Sequence, residues 1–549
     1  MRIGPQSAVL VLAAALRCYR LDGQSLWYDE GVSAFMTTRG PVEIARAAAA
    51  DIHPPLYYWL LAAWAVPFGN GEIALRALSV VLGTASVWVV WRLGRALYGE
   101  AVGLVAAALL AISPLAVQYS QEVRMYALAG LLAAASTWAY WGFVMGFQRA
   151  SRMVSRPTAV LYGLLAAALL YTHYYGVLVL AAHHVHFGLS LAMTRRWGMA
   201  PSWLLASGVA AALYLPWLPH ALRQTGNYPG LGTPQPSWAM ILDAVNALSI
   251  GLATTRFAFR LGLAPFLALA VVGILASRES KAEGPGHGAA VEFRPSTFDG
   301  SGRVLLLLWL VLPIAAIVVL SAGRPLYEPR FLVLVLPAWV ILVAAGAVTV
   351  SRAVGRLLLG QLLPTARVAL GGALAAGAIA LLLVPTGRSL AAYYLDPAYA
   401  RDDYRGLARR VAALERPGDA VVLTAPGQAE IFRYYYHGSA DLFPLPAQRP
   451  IDSADTRARL EAVGAGHARV WLVRWAFEEA DPDDLIGRWL ESHAQPVGQE
   501  RFGRVELRLY ELRASASRLS DGNGWAVRTP AKSFGAPTTM PDHPLRANS

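Results

Sequence analysis

From residue 5 to about residue 385 the chain is a succession of apolar runs separated by short loops in which arginines gather. A helix needs roughly 17 to 25 mostly apolar residues to cross the hydrocarbon of a bilayer. In lipid every backbone N–H and C=O must be satisfied within the element, which leaves helices as the form for such runs. A bundle of membrane helices is therefore the expected fold. Composition agrees: 56% of residues are hydrophobic, 15% are charged and the mean hydropathy is +0.42, far from an ordinary soluble domain. The net charge of +12 would point to nucleic acid in a soluble chain. Here the arginines punctuate apolar runs, as in cytoplasmic loops, so no nucleic-acid partner is expected. The lone Cys18 excludes an intrachain disulfide and a thiolate metal site.

Arginine placement orients the runs. Residues 5 to 21 form the first span with the N-terminus cytoplasmic, and the short apolar core ahead of Ala13-Ala14-Ala15 favours a retained signal-anchor over a cleaved signal. Glu72 to Trp91 is a full span ending at Arg92 and Arg95, so the shorter Pro54 to Phe68 is read as a helix in the outer interface. Further spans at about 101 to 118, 125 to 147, 158 to 172, 174 to 193 and 201 to 218 put Arg149, Arg152, Arg156, Arg195 and Arg196 inside. An outer loop to about 257 follows, then spans ending near 276, 320, 350 and 385. The total is about eleven spans. Between two of them, Ser280 to Gly286 is polar and Gly-rich and is read as a flexible inner linker.

Three regions result: a membrane domain over 1–386, a small extracytoplasmic α/β domain over 387–513, and a disordered tail over 514–549. In the second, helical patterns (Asp402 to Leu414, Gln428 to Tyr436, Asp455 to Val463, Pro482 to His493) alternate with apolar strands (Ala420 to Leu423, Arg469 to Val473, Val505 to Leu509). The expected location is the plasma (inner) membrane, multi-pass, with this domain outside.

On that topology Asp29, Glu30, Asp51, His53, Glu122, Arg124, Tyr126, Arg324, Tyr327, Glu328 and Arg330 all meet one membrane boundary. Ionisable groups at span ends are costly unless paired or solvated, so both signs on one side imply a polar cavity at headgroup depth. Each residue also has a plainer role. Asp29 or Glu30 could cap a helix, Glu122 and Arg124 could be a surface ion pair, and His53 could merely start the interfacial helix. His183, His184 and His186 invite a metal, but no carboxylate is near and packing is the expected role. Tyr171, His173, Tyr174 and Tyr175 fit an interfacial aromatic belt. Nothing in the sequence requires a metal or other cofactor.

Four motifs stand in series: Trp27-Tyr28-Asp29-Glu30, His53-Pro54-Pro55-Leu56-Tyr57-Tyr58, Ser120-Gln121-Glu122-Val123-Arg124-Met125-Tyr126 and Tyr327-Glu328-Pro329-Arg330-Phe331. In kind and order they resemble the C-type (GT-C) membrane glycosyltransferases, and within them the dolichyl-phosphate-mannose protein mannosyltransferases (family 39) and the aminoarabinose transferase of lipid A. The resemblance covers roughly residues 5 to 350. It implies a polyprenyl-phosphate sugar as donor, an extracytoplasmic acceptor (glycan, lipid or protein) and inversion at the sugar. It also implies a catalytic aspartate at Asp29, with Glu30 beside it, and lipid-phosphate contacts at Tyr327 and Arg330. Such a displacement needs one carboxylate to take the acceptor's proton, and cations for the leaving phosphate, a task suited to the planar fork of Arg124 and Arg330. His53, where the aminoarabinose enzymes carry lysine, joins the phosphate set. Glu122, Tyr126, Tyr57 and Tyr58 are the expected substrate contacts.

Two other classes compete. A transporter or flippase of a lipid-linked or anionic solute would need polar groups near the midplane and repeated halves, and the sequence shows neither. A receptor anchored by its spans would not need about eleven of them.

Overall fold

The structure, a computed structural model of the full chain, describes residues 4–150, 156–228, 230, 234–253, 256–275, 300–359, 381–425, 427–448 and 450–513. The Gly-rich linker, most of the run at 367–385 and the tail lie outside the described residues. The chain divides into two compact units, Met1–Leu21 with Arg39–Tyr399, and Asp22–Thr38 with Ala400–Ser549. The Asp29 segment thus belongs to the C-terminal unit, although in sequence it is flanked by membrane helices.

The helices are, in chain order, α1 (Pro5–Cys18), α2 (Tyr28–Met36), α3 (Pro41–Ala50), α4 (Leu56–Phe68), α5 (Glu72–Tyr98), α6 (Glu100–Ile112), α7 (Pro114–Ser120), α8 (Tyr126–Ala150), α9 (Arg156–Leu170), α10 (Gly176–Thr194), α11 (Ala200–Tyr214), α12 (Leu218–Asn227), α13 (Ser237–Ile250), α14 (Arg256–Leu275), α15 (Ser301–Leu320) and α16 (Leu336–Leu359). A further helix, α17, is described over 381–395. All but α2 belong to the first unit. Among the described residues α5, α8, α10, α15 and α16 are each long and apolar enough to cross a membrane, and two bent pairs raise the number to seven if each is one span. One pair is α6 and α7, bent by 59° where Ser113 caps the Pro-led second piece by accepting from the Ala116 amide. The other bends by 73° ahead of α12.

The expected outer loop between 218 and 257 is instead largely helical, holding α12 and α13. At 10 and 14 residues they fall short of a span, which is why a reading by span length passes them over. The break between α6 and α7 is held by Arg17 of α1, which is 1% exposed. Its guanidinium donates to the carbonyls of Ala111 at 3.0 Å and Leu110 at 3.3 Å and to Ser120 Oγ at 3.1 Å. These satisfy acceptors that the end of α6 leaves without a helical partner.

The second unit carries α18 (Tyr404–Leu414), α19 (Gln428–Tyr435), α20 (Ser453–Gly466), α21 (Phe477–Ala480) and α22 (Leu485–His493) around one five-stranded sheet. Its strands are β1 (Asp419–Leu423), β2 (Asp441–Pro444), β3 (Arg469–Arg474), β4 (Ala494–Phe502) and β5 (Val505–Leu512), in the order β2-β1-β3-β5-β4. β1 lies parallel to β2 and β3, and β5 antiparallel to β3 and β4. Ala420, Val422, Val470 and Leu472 pack with Leu460 and Val463 of α20 and Ile486 and Leu490 of α22 as one core. The sequence signals β1, β3 and β5 but not β2, a four-residue strand ending in proline, or β4, whose residues are mostly exposed. Edge strands of that kind carry little apolar alternation to read.

Candidate functional site

In the first unit the centre is a chain of polar side chains starting at the turn before α4. His53 lies 3.4 Å through Nδ1 from Asp51 Oδ2 and 3.1 Å through Nε2 from Arg124 Nη2. Arginine has no acceptor, so Arg124 donates to Nε2 and the imidazole's remaining proton is on Nδ1, facing Asp51. Arg124 also donates to the Tyr58 hydroxyl at 3.4 Å. Burial would raise the Asp51 pKa, but the hydrogen bond from His53 and the charge of Arg124 outweigh it and hold the carboxyl below the usual range. Arg124 and Glu122 are each 2% exposed, so both lie in the interior and not at the surface. Tyr57, buried beside Tyr58, is 3.3 Å from Ser79 Oγ.

The turn between α9 and α10 completes this region. His173 is buried, and burial first, then the charges of Arg330 and Arg124, push its pKa down to about 3. It is therefore neutral at physiological pH, and it feels both arginines, Arg124 and Arg330, that the sequence pattern singles out for phosphate. Its ring packs on Tyr126 at 6.1 Å and edge-on against Phe331 at 5.0 Å, and Tyr175 lies 4.5 Å from Phe331. Arg330 pairs with Glu328 at 3.7 Å and its guanidinium lies 5.9 Å from the Phe331 ring centre. The Tyr327 hydroxyl donates to Asp243 of α13 at 3.0 Å. Burial, then Asp243, keeps that phenol well above its ordinary pKa.

A cavity of about 570 Å³ opens here, lined by His53, His173, Tyr174, Tyr175, Phe331 and Arg324 together with aliphatic side chains such as Val177, Leu178 and Leu320. The aromatic run after α9 thus lines a cavity as well as standing at a helix end. Arg324 donates to the carbonyls of Thr225, Gly226 and Tyr228, closing the C-terminus of α12. Two residues that sequence reading missed emerge: Asp243, as the acceptor for Tyr327, and Gln224, whose amide donates to Ala48 O at 2.7 Å at the cavity wall. A carboxylate inside the apolar run Trp238 to Ile250 was the available signal for Asp243.

In the second unit the acidic pair divides. Glu30 is fully buried, and its carboxylate accepts from the Trp27 amide at 3.3 Å, closing the start of α2. Asp29 is half-buried in the first turn, and its carbonyl accepts from Ser33 Oγ at 3.1 Å. The helix-capping role weighed for either carboxylate thus falls to Glu30.

The three histidines of α10 are bonded to hydroxyls and carbonyls. His183 meets Thr137 and Tyr162, His186 meets Tyr140 and Ser301, and His184 meets Ser207 and the Leu180 carbonyl. Among the described residues no group of three or more His, Cys, Asp or Glu could hold a metal ion.

Residues 52–220, the stretch containing His53, Tyr57, Tyr58, Glu122, Arg124 and Tyr126, match the dolichyl-phosphate-mannose-protein mannosyltransferase family. No curated protein sequence matches the chain. Among solved structures, the chain is similar to ArnT from Cupriavidus metallidurans bound to undecaprenyl phosphate, with TM-score 0.55 and 14% identity over 91% of this chain and 97% of that one. It is also similar to the archaeal oligosaccharyltransferase AglB from Archaeoglobus fulgidus in complex with an inhibitory peptide and a dolichol-phosphate, with TM-score 0.53 and 13% identity over 85% and 69%. A third likeness is to the Archaeoglobus fulgidus oligosaccharyltransferase tethered to an acceptor peptide, with TM-score 0.55 and 14% identity over 93% and 74%. At these identities the likeness is one of fold, and the fold of this chain is GT-C-like.

Proposed function

We propose that the protein is an inverting glycosyltransferase of the plasma membrane that moves a sugar from a polyprenyl phosphate to an extracytoplasmic acceptor. The observation that carries this reading is the Asp51–His53–Arg124–Tyr58 chain beside a largely apolar cavity. His53 lines that cavity and Arg124 stands directly behind it, and a buried guanidinium next to an apolar space suits a ligand with an anionic head and a prenyl tail. Arg124 and Arg330 hold the phosphate, with Tyr327, whose hydroxyl proton is held by Asp243, packing beside it. His53 is engaged at both ring nitrogens and so serves by aiming Arg124. Glu122, Tyr126, Tyr57 and Tyr58 shape the place of the sugar.

Asp29 is the base that removes the acceptor's proton as the acceptor oxygen attacks the anomeric carbon and the sugar–phosphate bond breaks. The phosphate leaves with the electron pair of that bond, so no second carboxyl group is needed as acid. Glu30 fixes the helix that presents Asp29. The test is Asp29→Asn, which preserves shape and capping capacity but removes basicity. Transfer should fall by about 100-fold or more with polyprenyl-phosphate binding retained. Near-normal transfer would remove Asp29 from the chemistry.

A further inference from the structure

The C-terminal unit has the frame of a small ligand-binding α/β domain. In open α/β sheets, ligands bind outside the carboxyl ends of the strands at the point where strand order reverses. Here β2 and β3 flank β1, so the connection from β1 runs to β2 on one side and the connection from β2 crosses back to β3 on the other, which places the reversal and the crevice at the ends of β1 and β3. The two ends are tied by Thr424, whose Oγ1 accepts from the Trp475 amide at 3.2 Å, while its own amide donates to Val473 O at 3.1 Å.

That crevice is filled by the chain's own α2. The Tyr28 ring stacks on Trp475, just past β3, at 4.6 Å and 20° between planes. Its hydroxyl lies over Gly427, just past β1, so closely that a Cβ there would come within 2.3 Å of it. Trp475 is in turn fixed, its indole N–H donating to Asp402 Oδ2 at 2.9 Å, and Asp402 also takes the Arg504 guanidinium at 3.1 Å. On either side of Tyr28 the same unit grips the segment again. The Leu26 amide donates to the Tyr435 hydroxyl at 2.7 Å, Ser25 Oγ donates to Asp402 O at 2.9 Å, and a Cβ on Gly31 would come within 2.3 Å of Ile431 Cβ.

We infer that the C-terminal α/β unit is an intramolecular binding module whose ligand is the Tyr28 segment, and that Trp475 and Tyr435 are positioning residues for Asp29. The inference rests on the reading of Asp29 as the base. Its physical content is that Asp29 follows directly on a residue held by stacking and precedes a glycine in backbone contact, so its backbone cannot drift while the crevice is occupied. Displacement of a reacting group by about 1 Å can cost on the order of 100-fold in rate.

The test uses the full-length protein in a strain lacking its own copy. The readout is the initial rate at which the sugar-bearing membrane species lost with the protein returns on induction, at matched protein levels. Trp475→Ala should lower that rate by about 10- to 100-fold, Trp475→Phe should restore most of it because the stack survives, and Tyr28→Ala should reproduce the loss from the other side of the contact. In purified protein, amide exchange over residues 24–32 should speed up in Trp475→Ala and return toward wild type in Trp475→Phe. An unchanged rate in Trp475→Ala, a loss without faster exchange in 24–32, or no rescue by phenylalanine would overturn the inference. A wild-type rate in Asp29→Asn would instead strike the catalytic reading, and the exchange measurement would still decide whether the module holds the segment.

Discussion

Arg124 and Arg330 differ in how firmly they are held. Arg124 is 2% exposed and aimed by His53 and Tyr58, whereas the Arg330 side chain is 16% exposed and pairs with Glu328 at 3.7 Å. Loss of a charge-assisted bond to phosphate costs about 1.5 to 3 kcal/mol, so Arg330→Ala should weaken polyprenyl-phosphate binding about 10- to 100-fold. Arg330→Lys should recover only part, since a point charge cannot reproduce the two-pronged contact. Filter binding of radiolabelled polyprenyl phosphate to both variants checks this. Asp51 gives a pH dependence of definite sign. Its pKa is lower in the folded protein than in the unfolded chain, so its support of His53 and Arg124 is fully present above the ordinary carboxylate pKa near ~4 and is lost as pH falls through the lowered folded value. Binding should therefore be insensitive to Asp51 titration from neutral pH down to about 4 and weaken below it. Asp51→Asn should show the weakened state throughout, without that low-pH step.

At the scale of elements, α14 and α16 approach to backbone contact. A Cβ on Gly346 would lie 1.8 Å from the Leu269 carbonyl oxygen, and one on Gly273 would lie 2.0 Å from the Leu342 oxygen. Small residues that let helix backbones meet are the usual means of packing in lipid. Gly346→Ala must push the helices apart, at a cost of about 1 to 3 kcal/mol, and should lower the temperature at which detergent-solubilised protein leaves the monodisperse peak. Gly188→Ala, where nothing stands within 4 Å of the new atom, should leave it in place. Such contacts also mark how far sequence carries. The extents of α5, α8, α10 and α15 follow closely from apolar runs, and α18 to α20 from 3.6-residue patterns, whereas the Asp403 and Asp452 caps that start α18 and α20 emerge from the structure. What was not legible is pairing across distance. His53 meets Arg124 from 71 positions away and Tyr327 meets Asp243 from 84, and no local pattern encodes a partner so remote. The membership of residues 22–38 in the C-terminal unit is hidden for the same reason, since its anchor, the Tyr28–Trp475 stack, joins residues at opposite ends of the chain.

For the molecule as a whole, arginine bias makes one orientation testable. With Cys18 replaced by alanine, single cysteines at positions 92, 149 and 196 should resist a membrane-impermeant maleimide applied from outside. Cysteines in the loop after Tyr327 and on the exposed face of α20 should label. The reverse pattern would invert the proposed topology. Assembly adds a demand of its own, set by Arg17. Its guanidinium is matched by the α6 carbonyls and by Ser120, the last 103 positions downstream. At about 5 to 20 residues per second of synthesis, the first helix waits roughly 5 to 20 s for the residues that satisfy its charge. Through that interval an arginine at the end of the opening helix must be tolerated by the insertion machinery or by lipid headgroups. Biogenesis of this protein should accordingly be more sensitive than its finished fold to substitutions that delay α6 and α7, with nascent chains arrested before residue 120 extracted from the membrane more readily than those arrested after it.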